Sequence, residues 1–80
     1  MYKFFTIRIH YEDSIFKYAT MGELTSNNLE SLQDDVVDKF ISQPNEVVFI
    51  YSISSKGLVL EAEYDFRERD EYGLWIQRTE

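Results

Sequence analysis

The stretch EVVFIYSISSKGLVLEAEYDF, residues 46–66, decides the fold class. Residues 46–54 are rich in β-branched and aromatic side chains, and residues 58–66 alternate between two sets of side chains. Both patterns predict β-strands. The intervening Ser55-Lys56-Gly57 predicts a tight hairpin loop, because glycine accepts a positive φ without strain. The segment therefore predicts two antiparallel strands joined by a short turn.

Further strands are expected on both sides of this hairpin. Residues 2–11 alternate with a period of two, which predicts a strand. The polar residues 12–14 predict a turn, and residues 15–20 are a weaker candidate for a second strand. Towards the other end, residues 67–71 are predicted to form a charged loop, and residues 72–78 a last strand.

One amphipathic helix is predicted between the two groups of strands. Ser26 or Asn27 is expected to cap its start, since Asn27 and Glu30 have the spacing of a capping box. Pro44 cannot continue a helix, so the helix is expected to end near Ser42. Apolar residues at three- and four-residue spacing form its buried side: Leu29, Leu32, Val36 and Phe40.

The predicted fold class is α+β, with elements in the order ββαβββ. We expect residues 1–80 to form a single domain in which the helix packs on one face of a four- or five-stranded antiparallel sheet. The sheet face expected to meet the helix carries Ile7, Ile9, Phe49, Tyr51, Leu60, Ala62, Leu74 and Ile76.

The composition favours a protein that binds other proteins. Among 80 residues, 15 are Asp or Glu and eight are Lys or Arg, so the net charge is −7. Such a charge repels nucleic acid and anionic lipid and attracts basic protein surfaces, so we expect no direct nucleic-acid binding and no membrane binding. The absence of cysteine excludes disulfides and sulfur-based zinc sites, and it favours a cytoplasmic location.

No catalytic signature stands out, and we expect no enzyme activity, no cofactor and no metal site. His10 is the only histidine, so a two-histidine metal site cannot form within one chain. Glu61 and Glu63 lie two residues apart on one predicted strand, a spacing that suits paired carboxylate chemistry or a magnesium site. That strand offers no supporting Lys or His, however, and the convex surface of a sheet does not exclude water.

The predicted partner-binding surface combines apolar and acidic side chains on the sheet face that the helix leaves bare. An apolar centre with a charged rim is the usual anatomy of a protein–protein interface. The predicted apolar centre consists of Val48, Ile50, Val59 and Trp75, beside a strand row of Glu61, Glu63 and Asp65. A second acidic row follows the exposed side of the helix and consists of Glu30, Asp34 and Asp38.

Two functional hypotheses follow. The first is a small acidic inhibitor or adaptor whose strand carboxylates, at a repeat of about 6.6–6.8 Å, imitate nucleic-acid phosphates and occupy the basic groove of a nuclease or effector complex. By analogy of size and charge alone, such domains are common among phage-encoded inhibitors. The alternative is a self-associating structural or regulatory subunit that dimerises through the sheet face.

Overall fold

The computed structural model describes residues 3–69 and 75–79. Within these residues the elements are β1 (Lys3–Glu12), β2 (Ile15–Ser26), α1 (Leu29–Phe40), β3 (Glu46–Ser54), β4 (Gly57–Arg69) and β5 (Trp75–Thr79). The strands form one sheet in the order β2-β1-β3-β4-β5, and every neighbouring pair is antiparallel. The predicted α+β class, with one helix against an antiparallel sheet, is confirmed.

The first hairpin has a tight turn and a longer second strand than predicted. Asp13 and Ser14 connect β1 to β2 with φ values of 52° and 65°. Positive φ at both central residues characterises the two-residue turn that matches the twist of a hairpin. β2 continues through Gly22, whose φ of 73° accommodates an irregular register with β1. The glycine therefore bends the strand and does not end it.

The boundaries of α1 differ slightly from the prediction. Asn28 is the N-cap, because its side-chain oxygen accepts a hydrogen bond from the backbone N–H of Ser31 at 3.1 Å. The predicted caps, Ser26 and Asn27, are therefore wrong: Ser26 is still the last residue of β2. The helix ends at Phe40, shortly before the predicted end.

The helix covers the sheet face opposite to the predicted one. Its own apolar side is as predicted, with Leu32, Val36 and Phe40 fully buried. Val48 and Ile50 are also fully buried, so the prediction that they belong to an exposed partner-binding surface is wrong. The core cluster consists of Leu32, Val36, Phe40, Val48, Ile50, Ala62, Tyr64 and Phe66. Of the described sheet residues predicted to meet the helix, the cluster includes Ala62 alone; Leu74 and the side chain of Ile76 lie outside the described residues.

The two-sided apolar character of β1 and β3 explains this error. Both strands carry apolar side chains on both faces, and alternation alone does not say which face meets a helix. The face that meets α1 includes the small buried residues Thr6 and Ser52. Phe49 and Tyr51 lie on the other face.

A β-bulge in β4 distributes between two faces the residues that the alternation predicts to share one face. Ile50 pairs with Ala62, whereas the next residue, Tyr51, pairs with Leu60, which leaves Glu61 as an extra residue. A bulge of this kind shifts the alternation by one residue. Away from the helix lie Leu58 and Leu60, and on the helix side lie Ala62, Tyr64 and Phe66.

The C-terminal predictions are only partly covered by the described residues. β4 continues to Arg69, so the predicted charged loop starts too early, and residues 70–74 lie outside the described residues. β5 starts at Trp75, and the side chains of Trp75 and Ile76 also lie outside the described part of the chain. No helix among the described residues is long and apolar enough to cross a membrane.

Candidate protein-docking surface

The sheet face opposite α1, here called the open face, carries apolar side chains on four neighbouring strands. Cross-strand pairing identifies its members, because directly paired residues point to the same side of a sheet. Its apolar members are Phe5, Ile7, Ile9 and Tyr11 of β1; Phe16, Ala19 and Met21 of β2; Val47, Phe49, Tyr51 and Ile53 of β3; and Leu58 and Leu60 of β4. The same pairing places the polar or charged residues Lys3, Thr25, Glu63 and Asp65 on this face.

Several large side chains of the open face are exposed to solvent. Four of them have exposed fractions between 47% and 70%: Met21, Leu58, Phe16 and Ile53. On the two central strands, Phe5 and Val47 are buried, and the other apolar members of the open face are partly or largely exposed. A solvated face of an antiparallel sheet normally carries polar side chains. An apolar face with this exposure is therefore typical of a binding surface.

Aromatic contacts organise the open face. The rings of Phe5 and Tyr51 stack with a centroid separation of 6.0 Å. Tyr11 and Phe16 meet edge to face at 6.4 Å, at the end near the first turn. The Arg67 guanidinium lies 4.1 Å from the centroid of the Tyr11 ring. Aromatic residues provide large contact areas at little cost in side-chain entropy, which suits them to binding surfaces.

The charges on the described part of the open face balance one another. Lys3 lies at one end of the face, and Glu63, Asp65 and Arg67 follow β4. Asp65 is only 4% exposed, and its carboxylate accepts hydrogen bonds from the Arg67 Nε and Nη2 groups at 3.1 and 3.0 Å. This hydrogen bonding raises the pKa of the Arg67 guanidinium above its ordinary value.

The predicted strand row of carboxylates does not form. Glu61 lies in the β4 bulge and accepts a hydrogen bond at 2.8 Å from the hydroxyl of Ser52, a residue of the helix-covered face. Glu63 pairs with Phe49 on the open face, and Asp65 is buried and paired with Arg67. The regular phosphate-like repeat predicted for these residues is therefore wrong.

The other predicted site residues are dispersed. Val59 is 49% exposed, but it pairs with Ser52 and so lies on the helix side of the sheet. Trp75 begins β5, and its side chain is outside the described residues. The helix row is exposed, and the described residues contain no ion pair with Glu30, Asp34 or Asp38. This row and the open face lie on opposite sides of the molecule.

A cluster of charged side chains ties the end of α1 to the sheet. Arg8 Nε lies 3.2 Å from a Glu23 carboxylate oxygen and 3.6 Å from one of Glu46. Glu46 is 3% exposed, and its other oxygen is 2.6 Å from His10 Nδ1. Lys39 pairs with Glu23 from the helix. Since the cations Arg8 and Lys39 match the buried Glu46 and the partly buried Glu23, the cluster neutralises itself and serves the packing of α1.

Sequence reasoning missed the open face as a unit, although a signal was present. Residues 47–51 are apolar without interruption, and Phe4 and Phe5, near the start of β1, place a large side chain on each face. Strands that are apolar on both faces are typical of a sheet that is covered on both sides.

The described residues form no pocket and no cluster of His, Asp and Glu that could hold a metal ion.

No protein-family model, no curated protein and no solved structure matches this chain. The assignment of a function therefore depends on the geometry of the open face.

Proposed function

We propose that this chain is a small acidic protein-binding module, an inhibitor or adaptor, that acts by docking a protein on its open face. The observation that supports the proposal is the apolar open face, in which four large side chains are 47–70% exposed. Burying such side chains contributes about 1.5–3 kcal/mol each when burial is complete. A face of this composition gains free energy when a protein covers it.

The shape of the open face favours a protein over a small ligand. Four strands at a spacing of about 4.8 Å, each contributing about seven residues at a rise of about 3.4 Å, cover roughly 450 Å² in plan. Small ligands bind mostly in concave pockets that enclose them, whereas protein partners typically cover about 800 Å² of accessible surface on each side. Side-chain relief makes the accessible area larger than the area in plan.

The acidity of the chain favours partners with basic surfaces. The net charge of −7 and the exposed helix row raise the rate of encounter with positively charged proteins. The proposal does not include imitation of nucleic acid, because the strand row on which that hypothesis depended does not form. A cysteine-free chain is compatible with action in a reducing cytoplasm.

Affinity capture with a matched pair of variants tests the proposal. Met21→Lys places a charge on the open face, whereas Ile15→Lys places the same charge on the opposite face of the same strand. The two side chains are 70% and 62% exposed, so both variants are expected to fold. The immobilised wild type and I15K are expected to retain the same protein from a low-salt lysate, and M21K is expected to lose it. Equal capture by the two variants would contradict the proposal.

A further inference from the structure

We infer that the occupant of the open face is a second copy of this chain, so that two sheets pack face to face with their helices on the outside. This inference rests on the proposed docking role of the open face and names the protein that docks there. Two sheets that share such a contact lie about 10 Å apart and bury both apolar faces at once. The same patch serves on both copies, as a two-fold interface requires.

The composition of the open face favours a second copy. Thirteen of its described residues, on four strands, are apolar; Thr25 is polar, and the charged residues of the described part lie along β4 and at one end. Homodimer interfaces are more apolar than the interfaces of separable partners, and charged residues are depleted at their centres. An apolar, aromatic-rich face is typical of an interface that stays closed.

The area of the open face is sufficient for a dimer. Two faces of roughly 450 Å² in plan together bury about 900 Å² before side-chain relief is counted. The uneven surface of the side chains raises the total accessible area of the two faces to the range of about 1,000–1,200 Å² at which specific interfaces begin. The most exposed members, Met21 on β2 and Leu58 on β4, lie on separate strands, so contact would extend across the sheet.

The net charge of −7 on each copy does not oppose this arrangement. The helix row of Glu30, Asp34 and Asp38 lies on the far side of each molecule, and in the dimer the two rows are roughly 40 Å apart. Screening at physiological salt acts over about 8 Å, so these rows do not repel each other measurably. The charged residues on the described part of the open face, Lys3, Glu63, Asp65 and Arg67, sum to zero on each copy.

Sedimentation velocity between about 1 µM and about 200 µM tests the inference with two matched pairs of variants. M21K and I15K place lysine on opposite faces of β2. L58K and V59K place lysine on opposite faces of β4, at adjacent positions where the wild-type side chains are 59% and 49% exposed. The wild type is expected at twice 9.6 kDa. M21K and L58K are expected to raise the dissociation constant at least about tenfold, while I15K and V59K retain the dimer.

Other outcomes would overturn the inference in distinguishable ways. A wild-type mass of 9.6 kDa at all concentrations would exclude a second copy. If the capture experiment still separated M21K from I15K, the open face would bind a different protein and only this inference would fail. If capture did not separate them either, the docking role would fail as well. A dimer weakened by both β2 variants and by neither β4 variant would pair through the edge of β2, which also contradicts the inference.

Discussion

Arg67 and Asp65 form the most closely coupled charged pair on the open face. The Asp65 carboxylate accepts three hydrogen bonds from Arg67, from the backbone N–H at 3.0 Å and from two guanidinium nitrogens. Asp65 is almost completely buried, whereas the Arg67 side chain is about one-third exposed. The guanidinium therefore stabilises a carboxylate that has lost most of its hydration, and its flat side covers the Tyr11 ring.

Two substitutions of Arg67 should destabilise the fold to different degrees. Arg67→Met keeps an apolar stem but removes the charge and both side-chain hydrogen bonds, and we expect a loss of about 1–3 kcal/mol in the free energy of unfolding. Arg67→Lys keeps the charge but not the forked geometry, so its loss should be smaller. Urea denaturation measures both values. A methionine variant as stable as the lysine variant would contradict the role assigned to the charge.

Tyr64 makes the stability of the fold depend on pH in the alkaline range. The residue is 1% exposed, and burial raises the pKa of its phenol above the ordinary value of 10.0. A hydrogen bond with the Gln33 side chain acts in the opposite direction, and the charge of Asp34 adds to the rise. The folded state thus retains the phenolic proton at pH values where the unfolded chain releases it.

The free energy of unfolding is therefore expected to fall as the pH rises above about 10. In that range the unfolded state binds fewer protons than the folded state, so a rise in pH favours unfolding; below it, both states hold the proton and Tyr64 adds no pH dependence. Tyr64→Phe should make the decline between about pH 9 and about pH 11 less steep. Urea titrations at several pH values, each compared with pH 7, measure the slopes. Equal slopes for variant and wild type would refute this assignment.

The start of α1 depends on a cap that lies one residue beyond the expected position. Asn28 has an extended backbone, with φ −124° and ψ 119°, and its side chain satisfies the Ser31 N–H. Asn27, which fits the spacing of a capping box with Glu30, is exposed and is not the N-cap. Residues 26–28 are all favourable N-cap residues, so the local sequence does not distinguish between them. The position of the N-cap depends on where β2 ends, which is at Ser26.

Asn28→Ala is expected to lower the free energy of unfolding by about 1 kcal/mol, because the Ser31 N–H loses its acceptor. Asn27→Ala provides the matched control and is expected to change it by less than about 0.5 kcal/mol, as surface substitutions usually do. Thermal and urea denaturation compare the two variants. A larger loss in the Asn27 variant would restore the cap predicted from the sequence.

Most elements could be predicted from local sequence patterns, and the β4 bulge could not. The strand at residues 46–54, the hairpin at 55–57 and the apolar side of α1 all follow from periodicity and turn residues. In the sequence, the alternation of residues 58–66 indicates one uninterrupted strand face, although the bulge at Glu61 divides these residues between two faces. The position of the bulge depends on how Ile50 and Tyr51 pair across the hairpin, which no local pattern records.

At the scale of the whole molecule, the acidic row of the helix is separated from the open face. The acidic helix row lies on one side of the sheet, and the open face lies on the other. In the proposed dimer the apolar faces cover each other, and the acidic helices lie on the outside of both copies. Contacts between the copies then depend on apolar burial.

Salt should therefore have little effect on the dimer. Between about 50 mM and about 500 mM salt, the dissociation constant of the dimer is expected to change less than about threefold, because the charges on the described part of the open face balance. Sedimentation velocity at several salt concentrations measures this constant. A dimer that tightened tenfold with salt would show that acidic side chains of the two copies face each other.

The candidate site was only partly predictable, because the acidic row of the helix follows from local periodicity, whereas the apolar face depends on which side of the sheet the helix covers. The helix row of Glu30, Asp34 and Asp38 lies where helical periodicity places it. The apolar centre assigned to Val48 and Ile50 is instead part of the core. Alternation correctly separates these residues from Phe49 and Tyr51, but it does not determine which set faces the helix.

Local patterns of residues specify the element types, the buried side of α1, the excess of acidic residues and the two apolar rows on the central strands. Long-range contacts select which row α1 covers and which row forms the open face. Local patterns do not make this selection, because period-two alternation is symmetric between the two faces of a strand. The choice between them depends on how the helix side chains fit the relief of several strands at once, and these contacts join residues far apart in the chain.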